Sequence, residues 1–99
     1  MRVLDQLEPK RVFSFFEDLC AIPHGSGNTK AISDYCVKFA QERGLEVHQD
    51  SLNNVVIVKP ATPGYEAAPT VIVQGHLDMV AEKMPGSTIN FLTDGLELE

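Results

Sequence analysis

Basic residues are scarce in this chain: 8 lysines and arginines stand against 14 aspartates and glutamates, a formal charge of −6. That balance argues against nucleic acid and anionic membrane surfaces as partners, since both demand an excess of positive side chains. No apolar run approaches the roughly 18 residues of a membrane span, and the N-terminus lacks the basic-then-apolar order of a secretory signal. Cysteine is nearly absent. Cys20 and Cys36 are the only two, and each falls on the apolar face of a predicted helix. Buried free thiols are favoured there over a disulfide framework or a thiolate metal site, and a reducing, cytoplasmic setting is the expectation. The chain also lacks a phosphate-binding glycine loop, a Cys-x-x-Cys pair, a serine nucleophile elbow, an internal repeat and any low-complexity segment. What remains is an ordinary globular composition, 43% hydrophobic and 22% charged, in 99 residues. That length makes one small domain or part of a larger one.

Two amphipathic helices come first. Glu8-Pro9 opens one, with proline where its missing N–H costs nothing. Val12, Phe13, Phe15, Phe16, Leu19 and Cys20 give it a wide apolar stripe, and Pro23 ends it. His24-Gly25-Ser26-Gly27-Asn28 reads as a loop, with Ser26 or Asn28 available to cap the next helix. Ile32, Tyr35, Cys36, Phe39 and Ala40 form that helix's apolar face, and Gly44 supplies a left-handed C-terminal cap. The phenylalanines read as core, because no basic residues interleave with them as single-strand nucleic-acid binding requires.

Strands follow. Leu45 to Gln49 alternates apolar and polar, so one face is expected to be wet. Asp50-Ser51-Leu52-Asn53-Asn54 has turn chemistry, and Val55–Val58 reads as a second, more buried strand. Pro60 to Pro69 is an exposed connection. Thr70 to Gln74 is the predicted third strand, and from Ala81 onward no period is evident. The order defines an α/β fold, two helices followed by about three strands. Strands as apolar as Val55–Val58 and Val71–Val73 call for neighbours on both sides and helices on both faces, so the sheet is expected to be incomplete.

The third strand carries the chemistry. It stops on Gly75 and is followed by His76 and Asp78, at the carboxyl end where α/β folds place their sites. In extended backbone, residues two apart point to the same side. A neutral imidazole at 76 can ligate a metal ion while a carboxylate at 78 accepts the other ring N–H and fixes the tautomer. His-x-Asp is a weak pattern by itself, and a surface histidine beside an aspartate is the plain alternative. His24, in the loop, and His48, on the wet face of a strand, read mainly as solvated residues. Asp50, Asn53 and Asn54 read as turn residues, and Glu82, Lys83 and Asp94 as loop charges.

Several segments together carry a resemblance: Leu19-Cys20-Ala21-Ile22-Pro23-His24 with Ser26, the Asn53-Asn54-Val55 turn, Lys59-Pro60-Ala61-Thr62-Pro63-Gly64, and above all Gly75-His76-Leu77-Asp78-Met79-Val80. On these the chain resembles the N-terminal part of the aminoacyl-histidine dipeptidases, also called cytosol non-specific dipeptidases, in the clan of co-catalytic zinc aminopeptidases and carboxypeptidases. The resemblance covers nearly the whole chain. It implies a zinc-peptidase-like catalytic domain in the cytoplasm, hydrolysing dipeptides with two zinc ions, although manganese or cobalt would also suit the pair. It implies that His76 is a zinc ligand and that Asp78 is the aspartate that orients it. In the family a bridging aspartate in a Gly-Ala-Asp-Asn-Gly segment, a general base in a Glu-Glu pair, a further acidic ligand and a distal histidine complete the site. None of these occurs in the 99 residues, nor does the smaller inserted domain that serves dimerisation and substrate contact. The expectation is an N-terminal portion of a metallopeptidase catalytic domain, residues 1–99, inactive alone, with a homodimer open for the complete enzyme. Two other readings stand beside it: a non-catalytic interaction module derived from the fold, and a plain α/β domain in which His76 and Asp78 only satisfy local bonds.

Overall fold

The computed structural model of the chain describes residues 2–99. Helix α1 runs over Lys10–Ala21, with Pro9 in extended conformation as its N-cap. The Glu8 carboxylate accepts a bond from the Lys10 amide at 3.2 Å, satisfying one of the donors that a helix start leaves over. Ile22 turns extended ahead of Pro23 and closes the helix, its N–H donating to the Leu19 carbonyl. Only Cys20 of the predicted stripe is buried; Phe13, Phe15 and Leu19 are half-buried, while Val12 and Phe16 stay exposed.

Helix α2 covers Lys30–Glu42. Its predicted apolar face is largely as read: Ile32 and Ala40 are buried, and Tyr35, Cys36 and Phe39 are half-buried. Neither Ser26 nor Asn28 caps it. The helix begins only at Lys30, and those two side chains bond Asp78 and the Leu92 carbonyl instead. At its other end Gly44 adopts a positive φ of 66°. The Gly44 amide bonds the Gln41 carbonyl, and the Leu45 amide bonds the Ala40 carbonyl. These two bonds are the paired closure of a Schellman cap, which glycine enters without a Cβ clash.

Strands β1, Glu46–Gln49, and β2, Val55–Val58, pair antiparallel with Val47 opposite Ile57 and Gln49 opposite Val55. Alternation in β1 is as predicted: Val47 is half-buried, and Glu46 and His48 are exposed. The buried Ser33 of α2 ties the helix to the hairpin, its hydroxyl donating to the Asn53 carbonyl while Gln49 Nε2 donates to its oxygen at 2.7 Å.

Two expectations need correction. Among the described residues the only strands are β1 and β2, so the predicted third strand at 70–74 does not form. Val71, Ile72 and Val73 are 83%, 86% and 93% exposed. A strand needs a ladder partner for its amides and cover for its side chains, and this segment has no ladder partner here. For the same reason β2 is less buried than its composition suggests: Val56, Ile57 and Val58 are all exposed. The α/β reading with an incomplete sheet holds, with two strands in place of three. The chain divides into two compact units, one holding residues up to Ile32 together with Asp78–Glu99, the other Ser33–Leu77.

Candidate functional site

The loop after α1 is shaped by its glycines. Gly25 is buried, and a Cβ there would come within 3.2 Å of the Ala81 Cβ. Gly27 takes a positive φ of 81°, a conformation that a side chain disfavours. This turn lets residues 24–26 run alongside 78–79 as a short parallel bridge, Gly25 opposite Met79. The Met79 amide donates to the His24 carbonyl at 3.0 Å, and the Ser26 amide donates to the Met79 carbonyl at 3.1 Å. Between these backbone bonds, Ser26 Oγ donates to Asp78 Oδ2 at 2.5 Å. Asp78 is half-buried. Its carboxylate is therefore held by a side chain 52 positions away, a pairing that no local pattern could announce.

His76 is exposed and belongs to the unit Ser33–Leu77, whereas Asp78 begins the second segment of the other unit. His24 is half-buried, and its Nδ1 donates to the Ile22 carbonyl at 2.6 Å, which leaves Nε2 as the acceptor of a neutral ring. His48 lies on the exposed face of β1 with Nε2 2.7 Å from Glu46 Oε2, as its strand position suggested. Asp50 does turn work: Oδ1 accepts the Leu52 and Asn54 amides and Oδ2 the Asn54 side-chain amide. Those bonds, the side-chain amide foremost, hold the Asp50 carboxyl below its ordinary range. Both cysteines are free thiols, and burial pushes each above its ordinary value.

An imidazole suits zinc and a carboxylate suits the orienting role beside one, but His76 and Asp78 fall in different units. Among the described residues no three of histidine, cysteine, aspartate and glutamate converge to hold an ion. Catalytic zinc typically takes three protein ligands, a number that the described residues do not bring together.

The described elements are two helices, a hairpin and the loop bridged to residues 78–79. Two known proteins resemble the chain. Over 95% of its length the chain matches the crystal structure of aminoacylhistidine dipeptidase from Vibrio alginolyticus, with a TM-score of 0.89 and 38% identity, spanning 19% of that chain. It is 37% identical over 97 residues, 98% of its length, to the cytosol non-specific dipeptidase of Escherichia coli strain K12, of which it covers 20%. The chain thus spans about a fifth of the relatives it matches. No protein-family model matches it. Along nearly all of its residues the chain is related to these dipeptidases, in agreement with the resemblance its segments carry.

Proposed function

We propose that the chain is a portion of the catalytic domain of a cytoplasmic, zinc-dependent dipeptidase, supplying one metal ligand, His76, and its orienting carboxylate, Asp78. The observation that carries this is relatedness to two dipeptidases over at least 95% of the chain, a match that includes the His-x-Asp segment. A peptidase that acts on dipeptides must place its catalytic groups against one scissile bond. In this chain the 76–78 segment is the part suited to that task. Zinc, when bound, polarises the scissile carbonyl and acidifies a water. The chain's own residues would serve that chemistry by orientation. His76 would offer a ring nitrogen to the metal, and an aspartate such as Asp78 would suit the carboxylate role that a ligating imidazole calls for. Ser26 and the bridge to His24 fix Asp78 in turn.

With a single ligand available, the 99-residue chain alone is proposed to be inactive. Titrating it with zinc by calorimetry should reveal no tight stoichiometric site. A tight site lost on His76→Ala would contradict the incompleteness of the ligand set. Activity is testable in a chimera in which this chain replaces the matching fifth of the Escherichia coli relative. Zinc-dependent dipeptide hydrolysis by that chimera is the expected result, and a folded, zinc-loaded chimera without hydrolysis would count against the proposed function.

A further inference from the structure

We infer that residues 70–74 are a self-association edge: in two copies of the chain these segments pair antiparallel about a twofold axis at Ile72. The inference stands apart from the dipeptidase reading and uses one unit of the chain, Ser33–Leu77. Thr70-Val71-Ile72-Val73-Gln74 has the β-branched composition of a strand. Among the described residues none of its amides or carbonyls takes part in a backbone hydrogen bond. Its central side chains are 83%, 86% and 93% exposed. An unpaired, strand-forming apolar segment is a template for another strand.

The order of the residues selects a second copy as the partner. Val71-Ile72-Val73 reads the same in both directions. An antiparallel pair centred on Ile72 therefore sets Ile72 opposite Ile72 and Val71 opposite Val73, an isologous contact of the kind that makes twofold dimers. Antiparallel pairing is also slightly the more stable per residue. Residues two apart share a face of a strand, so the valines of both copies meet on one face and the isoleucines on the other, as aliphatic cross-strand pairs. Pro69, with no N–H to donate, falls opposite Gly75 and bounds the ladder. Charge points the same way. No Asp, Glu, Lys or Arg occurs from Ala67 to Leu77, so two copies of formal charge −6 touch where neither is charged. A partner recognised by charge finds nothing to read there. Val56-Ile57-Val58 repeats the tripeptide, but β1 occupies one edge of β2 and these residues are less exposed, at 58%, 37% and 43%.

So short an edge buries less than the roughly 1,200 Å² of a stable interface, so the dimer is weak and the monomer prevails on dilution. Sedimentation of the 99-residue chain should show a reversible monomer–dimer equilibrium. Raising the salt from about 0.01 M to about 0.15 M should strengthen it, because the screening length falls from about 30 Å to about 8 Å and the like-charged copies repel less. Weakening by salt would assign the contact to opposite charges and overturn the inference. Hydrogen exchange should find Val71–Val73 protected at high concentration and released on dilution. Ile72→Lys should leave the far-UV dichroism of the monomer unchanged, since residue 72 is exposed. It should weaken dimerisation by more than about tenfold, because it sets like charges directly opposite each other. A single introduced cysteine reads the register, with oxidised glutathione as the electron acceptor and the joined peptides identified by mass spectrometry. Ile72→Cys should link across the axis. Val71→Cys should not link to itself, because the two positions then lie beyond about 7 Å, the reach of a disulfide. Equal linkage at 71 and 72 would overturn the antiparallel register. A monomer at all concentrations up to about 1 mM, a dimer indifferent to Ile72→Lys, or a dimer without protection at Val71–Val73 would overturn the edge itself.

Discussion

Position 95 tolerates only glycine. A Cβ built there would lie 2.4 Å from the Ala21 carbonyl oxygen and 2.8 Å from its Cα, backbone atoms that cannot swing aside. Next to it the Leu96 amide donates to the Cys20 carbonyl at 2.7 Å, satisfying an acceptor that the end of α1 leaves over. Gly95→Ala should therefore force the segment off the helix end and cost about 1–3 kcal/mol, the usual range for overpacking. Urea denaturation checks this, and an unchanged midpoint would show that the segment does not rest on α1. Single residues were legible where a local rule governs them. Gly44 announced a left-handed cap and Asp50 a turn, because each acts on its own neighbours. Gly95 and the Ser26–Asp78 pair were not legible, since both depend on contacts between segments far apart in sequence. The buried Ser33 escaped notice for a related reason: its partners, Asn53 and Gln49, lie in the hairpin beyond the helix.

Among the elements, the hairpin is set by its turn. Asp50 accepts three hydrogen bonds from Leu52 and Asn54, and Asn53 stands at a positive φ of 68°. The bonds favour the charged carboxylate, so the folded value of Asp50 lies below its unfolded one. Its support for the turn is complete above the unfolded value of about 3.9 and fades as pH falls through the lower folded value. Amide protection across β1–β2 should weaken on acidification below about pH 4 and should lose that pH dependence in Asp50→Asn. Protection falling equally in that variant would assign the effect elsewhere. The helices and this hairpin were readable because their signals are periodic or confined to a few residues. The third strand was not, although its residues have high β-propensity. Propensity for a strand is largely propensity to fit a covered, paired surface, and residues 70–74 have no ladder partner among the described residues.

At the scale of the whole molecule, apolar surface lies open in the unit Ser33–Leu77. Val71–Val73 and the outer face of β2 are exposed, while the chain spans about a fifth of the dipeptidases it is related to. Hydrogen exchange on the isolated chain should find Val71–Val73 almost unprotected while the β1–β2 amides are slow. Comparable protection of both in a monodisperse monomer would contradict the unpaired state of that segment. His76 and Asp78 stand out in the sequence as a candidate pair because of the glycine and spacing that follow an apolar run. The bond of Ser26 to Asp78 came only from the fold. The central claim is that His76 is a metal ligand of a dipeptidase, and the most direct measurement is zinc content and dipeptide turnover of the chimera with and without His76→Ala. The account predicts that the substitution removes at least one equivalent of tightly held zinc and lowers turnover by more than about a hundredfold, as loss of an interaction worth about 3 kcal/mol would. A His76→Ala chimera that keeps its zinc and its turnover would contradict it.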